Sequence, residues 1–329
     1  MMQQAPTKKM IKLTEILCSV SFCIFLITTP QPLTAHFYEE QETTIKLPLD
    51  ELESERELLE RNYFKRMHKL PDLDNPSTIN EKIAWLKLYN RHPLHTLCSD
   101  KYLVREYIKE KIGEEYLIPL IGAYDSPAEI DFDSLPNEFV LKPNHAAELI
   151  IICKNKASLN QERAKERMEK WLHTDYHALS REWAYKDIPR KILCEKFMKD
   201  EKTDDLRDYK FYCFNGKPLY IQVTSKRFEN SSTHVFDLEW ERVELHKSLT
   251  TDKSTIPEKP STFDTMERIA KTLSKGFKYI RIDLYEINGR VYFGEMSLYP
   301  CAGYGQFASY LHEYLFGKEL NLHDPNCPY

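Results

Sequence analysis

The residues that could do chemistry concentrate in Tyr279–Pro300, YIRIDLYEINGRVYFGEMSLYP, where Asn288-Gly289 marks the turn of a β-hairpin. Side chains alternate faces along a strand, so a one-residue slip in pairing exchanges every inside residue for an outside one. A two-residue type I′ loop would set Asp283 opposite Gly294 and Ile282 opposite Glu295, mixing apolar and charged groups on both faces. A three-residue loop with Gly289 in the left-handed conformation shifts the pairing by one and separates the two kinds. Ile280, Ile282, Leu284, Tyr292, Met296 and Leu298 then form an apolar face, and Arg281, Asp283, Glu295 and Ser297 a polar one. Two carboxylates at that distance repel unless a cation lies between them, and oxygen donors of this kind suit magnesium bound to a phosphate. The same residue types also suit the solvated face of an ordinary hairpin, so the choice rests on the rest of the chain.

Of the 329 residues, 42% are hydrophobic and 29% charged, a balance that argues against extended disorder and provides core for one large domain or two lobes. The 46 basic and 51 acidic residues give a net charge of -5, without the basic excess that nucleic-acid phosphates demand, so no nucleic-acid partner is expected. The eight cysteines show no C-x-x-C spacing, and Cys153, Cys194 and Cys213 sit in apolar runs as small hydrophobes do. Neither a zinc site nor a disulfide framework is indicated.

Lys8, Lys9 and Lys12 precede an apolar run, Ile16–Ile27, that has signal-peptide length and is short for a membrane-spanning helix of about 20 residues. Residues 1–35 therefore read as a basic flank with a membrane anchor or a signal peptide. Cleavage after Ala35 would leave Leu33 where a small residue is preferred, which favours the anchor, with export after cleavage as the alternative. Residues 36–75 read as a polar linker carrying an amphipathic helix at Leu49–Leu70, and 76–329 as the globular domain.

Within that domain Thr78-Ile79-Asn80-Glu81 fits a capping box opening a helix through Trp85, Leu86 and Tyr89, and Asp100 fits the N-cap of a second. Strands are expected at Phe139–Lys142, Leu149–Cys153, Lys191–Met198, Tyr209–Phe214 and Leu219–Thr224, with helices at Asn160–His173 and Phe263–Leu273 before the hairpin. This order predicts an α+β fold built on antiparallel sheets.

Asp100-Lys101, FVLKPNH at Phe139–His145, ILCEKFM at Ile192–Met198, RDYKFYCFNGKPLY at Arg207–Tyr220 and RIDLY with FGEMS between Arg281 and Ser297 follow one another as in ATP-grasp enzymes. NEKIAWLKLY at Asn80–Tyr89 and Asp208-Tyr209-Lys210 resemble the TupA-like branch, which is associated with modifying cell-envelope polysaccharides. The resemblance covers roughly Tyr63 to Leu322 and implies two lobes whose antiparallel sheets enclose a nucleotide cleft, with ATP and Mg2+ as cofactors. On the residues' own chemistry, Lys142 after the buried Phe139-Val140-Leu141 needs an anionic partner, whereas Lys101 reads equally as a solvated helix residue. The resemblance makes both phosphate-binding lysines, places His145 and Lys210 beside the cofactor, and has Glu195-Lys196-Phe197-Met198 line the adenine. It makes Asp283, Glu295 and Ser297 the metal ligands, with Arg281 and Arg227 neutralising the transferred phosphoryl group.

The expected function is an ATP- and magnesium-dependent ligase that joins a carboxylate to an amine through an acyl phosphate, on a glycan or another unidentified substrate. The loop PNHAAEL lacks the glycines that would cover phosphates with backbone amides, and Pro300-Cys301-Ala302-Gly303 displaces another. These changes favour an alternative, a membrane-tethered degenerate ATP-grasp protein that binds nucleotide or glycan without catalysis. A third reading, a glycosyltransferase, rests on the D-x-D triplets Asp72-Leu73-Asp74 and Asp131-Phe132-Asp133, which arise readily in acidic loops. The anchor's orientation stays open, because the three lysines hold the N-terminus inside and send the domain across, while an ATP-consuming site needs the cytoplasm.

Overall fold

A computed structural model of the protein describes residues 54–201, 206–225, 232–245 and 256–329, all within a unit spanning Thr44–Tyr329. The apolar run Ile16–Ile27 and Arg227 lie outside the described residues. No described helix is long and apolar enough to cross a membrane.

Helix α1 (Glu55–Met67) opens with a reciprocal capping box between Ser54 and Glu57. It buries Leu59 and Tyr63 against Leu73 and Ala84, so from Glu55 onward the stretch expected to be a linker is packed structure. Helix α2 (Ile79–Tyr89) has the capping box expected at Thr78 and Glu81. Helix α3 (Pro93–Ser99) follows, then a turn in which the Asp100 carboxylate accepts the Tyr102 and Leu103 amides before α4 (Val104–Lys111) begins. Asp100 thus shapes the turn, and the helix starts later than its N-cap reading predicted.

Strands β1 (Leu120–Tyr124), β2 (Phe139–Pro143), β3 (Ile151–Cys153) and β4 (Ile192–Lys196) form an antiparallel sheet ordered β1-β4-β2-β3. Helix α5 (Gln161–His173) lays Ala164, Met168 and Trp171 against Phe139, Leu141 and Ile192 of that sheet, and the short α6 (Tyr176–Ser180) follows it. A second antiparallel sheet, ordered β7-β6-β5-β8-β9, contains β5 (Asp208–Phe214), β6 (Lys217–Ser225), β7 (Ser232–Phe236), β8 (Tyr279–Ile287) and β9 (Arg290–Ser297). Helix α7 (Phe263–Ser274) covers its apolar face, burying Met266, Ile269 and Leu273 with Phe211, Val223, Ile280, Ile282 and Leu284. A parallel bridge between Leu117 and Phe293 ties the segment before β1 to β9, and α8 (Tyr310–Lys318) lies near the end of the chain.

The hairpin reaches the expected pairing by another route. Ile287 pairs with Arg290 across a two-residue turn in which Asn288 and Gly289 both have positive φ, 52° and 73°. The shift comes later: Leu284 pairs with Phe293 but Asp283 with Glu295, leaving Gly294 as the extra residue of a bulge. Tyr292 consequently pairs with the half-buried Tyr285, and Val291 and Phe293 occupy the apolar face in its place. A Cβ at Gly294 would stand 2.9 Å from the Asp283 carbonyl oxygen and 2.9 Å from the Tyr285 ring. Gly294→Ala is therefore expected to destabilise the fold by about 1–3 kcal/mol, the cost of forcing an atom into a packed site. Urea denaturation measures this, and an unchanged midpoint would contradict the bulge.

Candidate active site

Register gathers the polar side chains into rows on the sheet face opposite α7. Lys210, Asp283 and Glu295 form one row across β5, β8 and β9, and Tyr212, Arg281 and Ser297 form the next. Asp283 is 1% exposed, and its carboxylate accepts from Arg281 at 2.6 and 2.7 Å and from Lys210 at 2.8 Å. Burial opposes the charge of Asp283, yet Arg281 and Lys210 hold its carboxyl below the usual carboxylate range. Arg281 also reaches Glu295 at 3.1 Å, and Lys210 reaches Asp208 at 2.5 Å. Glu295 is more open, and its other oxygen lies 3.8 Å from the Lys101 ammonium.

Lys101 and Lys142 come from the other sheet's surroundings. Burial pushes the Lys101 ammonium down, while Glu295 pulls it back up. Its Nζ donates to the Ala146 carbonyl at 2.8 Å and its backbone amide to the Asn144 carbonyl at 3.1 Å. Lys142 is paired with Glu195 of β4 at 2.7 Å, and Arg105 of α4 approaches the same carboxylate at 3.6 Å. Glu195 is thus a buried counter-ion for Lys142, whereas the resemblance placed it among the residues lining adenine. Lys196 donates its amide to Pro119, leaving Phe197 and Met198, just beyond the strand, as the half-buried candidates for base contact.

His145 is turned inward. Its ring nitrogens lie against the Trp171 carbonyl at 3.1 Å and the Asn144 side chain at 3.3 Å, and burial pushes its pKa down to about 4. A neutral imidazole carries one N–H, so it donates to one of these two oxygens. Asn144 is the knot beneath both lysines: its amide donates to Asp100 at 2.9 Å and to the Pro189 carbonyl at 2.8 Å, and its side-chain oxygen accepts from the Lys191 amide at 2.7 Å. Sequence reasoning passed over Asp100 and Asn144 as site-builders, although both stood in the motifs it quoted. It had no signal for Arg105, which is brought in by the packing of α4. The D-x-D triplets shape turns: the first Asp of each accepts the amide of the second, and Asp74 binds Arg56.

Could this site hold magnesium? Among the described residues no three His, Cys, Asp or Glu side chains form a metal cluster. Asp283 and Glu295 do face each other with Ser297 in the next row, a hard oxygen set of the size that binds magnesium when substrate phosphates and water complete the shell. The residues fit on that condition.

The paired sheets, the lysines on one wall and the carboxylates on the other are those of an ATP-grasp fold of α+β class. The sequence model of the TupA-like ATP-grasp family matches residues 81–321, and the chain belongs to that family. No curated protein matches it. D-alanine–D-alanine ligase from Bacillus anthracis, solved with ATP, is 15% identical over 61% of this chain and 54% of that one, with a TM-score of 0.36. The Helicobacter pylori D-alanine–D-alanine ligase is 16% identical over 74% and 70%, with a TM-score of 0.39. L-amino acid ligase from Bacillus licheniformis is 12% identical over 78% and 56%, with a TM-score of 0.42. The chain spans little more than half the length of the Bacillus anthracis enzyme, and likenesses of this order carry no residue correspondence.

Proposed function

We propose that the protein is an ATP- and magnesium-dependent ligase that forms an amide from a carboxylate and an amine through an acyl phosphate. The observation that carries this reading is the row Lys210–Asp283–Glu295, with Arg281 on the carboxylates and Lys101 within 3.8 Å of Glu295. In this reading Lys101 and Lys142 bind the phosphates of ATP, and Phe197 and Met198 line the base. Arg281 neutralises the transferred γ-phosphoryl group, with Arg227 as a second candidate. Asp283, Glu295 and Ser297 would hold the magnesium, which when bound offsets phosphate charge and aligns donor and acceptor. The carboxylate oxygen attacks the γ-phosphorus with loss of ADP. The amine nitrogen then attacks the acyl carbon, and phosphate leaves.

A role in modifying a cell-envelope polysaccharide, with the N-terminal segment as a membrane tether, is proposed from the family association and from Ile16–Ile27. The direct test is magnesium-dependent ADP release against panels of amino acids and acidic sugars. No release with any of them would count against the ligase.

A second reading, nucleotide binding without turnover, is favoured by a specific observation. Glu148, in the loop that would cover the phosphates, has φ 64°, and Cys301 and Ala302, just beyond the metal strand, have φ 52° each. The strain falls on Glu148, while Ala146 and Ala147 in the same loop avoid it. Side chains in the left-handed region cost roughly 1–2 kcal/mol per residue, which glycine would not incur. Glu148→Gly and Cys301→Gly are each expected to stabilise the protein by about 1 kcal/mol, read as a rise in Tm. If glycine also raises ADP release, strain limits a working ligase. If it only stabilises, the binding reading gains.

A further inference from the structure

The three most exposed large hydrophobic side chains among the described residues lie on two segments that meet. Leu70, just past α1, is 63% exposed, and Tyr310 and Leu311, at the start of α8, are 62% and 59% exposed. The Lys69 ammonium joins the segments, standing 5.5 Å over the Tyr310 ring and 3.7 Å from the carboxylate of the buried Glu313. Helix α8 has two apolar sides. Phe316 points inward, with its ring 5.4 Å from that of Tyr212 and 4.9 Å from that of Phe214. Tyr310, Leu311, Tyr314 and Leu315 recur at helical spacing on the outer side, where the Tyr310 and Tyr314 rings stack at 6.3 Å and Lys318 lies 6.0 Å from the Tyr314 ring. A contiguous exposed stripe of this kind marks a surface that meets something.

The charge around the stripe is positive. FKRMHKL at Phe64–Leu70 holds Lys65, Arg66 and Lys69 and no carboxylate. On α8 the one carboxylate is Glu313, buried beside Lys69, and the exposed Glu319 follows the helix end next to Lys318. The chain as a whole has a net charge of -5, so the patch opposes the sign of the rest. Leucines edged by tyrosines and long cations suit the headgroup layer of a bilayer: the leucines enter the acyl boundary, the tyrosine rings stay at headgroup level, and the lysines reach the phosphates. A second copy fits less well, because a two-fold contact would set the patch against itself and bring like charges together.

We propose that the outer side of α8, with the end of α1, is a docking face for an anionic lipid bilayer. The inference deepens the tether part of the reading above, yet it stands on the domain's own surface. Ile16–Ile27 is joined to α1 by residues 28–54, and a tethered face meets the bilayer at the high effective concentration a linker gives, so modest affinity suffices. Each lysine near an anionic surface adds about fivefold to binding, and the exposed leucines add the apolar share. Phe316 meanwhile reaches Tyr212, in the row of Arg281 and Ser297, so docking would set the candidate site one helix diameter, about 10 Å, from the headgroups.

The test mixes the full chain with vesicles of phosphatidylcholine, alone or with about one third phosphatidylglycerol, and follows flotation and the acetylation rate of single lysines by mass spectrometry. On the anionic vesicles Lys69 and Lys318 should react about fivefold more slowly or less, while Lys170, exposed on α5, changes little. The protection should shrink in about 0.5 M salt, where screening is short-ranged. Leu311→Ser combined with Leu315→Ser, both on exposed side chains, should remove it with the urea midpoint unchanged. The lipid and salt comparison on wild type stands without that variant. Flotation with Lys69 and Lys318 unprotected would leave a tether and overturn the docking face, and no flotation on either vesicle would overturn both. Protection without vesicles that rises with protein concentration would give the face to a second copy and overturn the proposal as well.

Discussion

Asp283→Asn is expected to abolish magnesium-dependent nucleotide binding and to lower stability by about 3 kcal/mol, because it removes one partner of a buried ion-pair network. Arg281 and Lys210 both lean on the Asp283 carboxylate and would lose their shared anion. The pH dependence has a definite sign. Burial works against the charge, but the two cations lower the carboxyl from 3.8 to about 2, so its contribution is complete above about 4 and is lost as pH falls toward 2. Denaturation midpoints of wild type should fall through that window, and those of the variant should lack this limb. Retained magnesium-dependent binding in the variant would take Asp283 out of the metal site.

Lys142→Ala should weaken ATP binding by roughly 1.5–3 kcal/mol, the scale of a charge-assisted hydrogen bond, with adenosine binding little changed. Calorimetric titration with both ligands separates the phosphate term from the base. The substitution also leaves Glu195 with Arg105, at 3.6 Å, as its remaining cationic partner among the described residues. Some loss of stability is therefore expected, and Lys142→Ala with Glu195→Gln should recover it without recovering ATP affinity. Equal losses for ATP and adenosine would mean that Lys142 serves the fold.

Much of the site was legible because alternation along a strand is a strong constraint. The rule that an apolar face must stay apolar put Asp283 opposite Glu295 even though the turn assumed for it was wrong. The bulge at Gly294 escaped notice because a glycine within a strand signals it only weakly, and the Asn288-Gly289 pair in fact obeyed its simplest rule. What local pattern cannot show is which strands meet. Lys142 needed an anion, but that Glu195 provides it depends on β2 pairing with β4 across some fifty residues of intervening chain, as in the match of Val140 to Glu195. The strands β1, LIGAY, and β7, STHVF, were missed because neither alternates cleanly: β1 is half-exposed along most of its length and β7 begins with polar residues. A motif position likewise says nothing about which way a ring turns, and the His145 ring faces the Trp171 and Asn144 oxygens.

The helix that begins at Ile79 grips the end of the chain, and this dictates when the cleft can exist. Asn80 exchanges two hydrogen bonds with the Gly305 backbone across 225 residues, and Lys82 donates to Gly317 across 235. Lys87 holds Ala302 across 215. During synthesis that helix leaves the ribosome long before its partners. The four-stranded sheet has all its strands by Lys196, but the helix that begins at Ile79 lacks its Gly305 and Gly317 partners until those residues emerge. A nascent chain stopped before Gly305 should therefore have an ordered first sheet and an unfinished cleft.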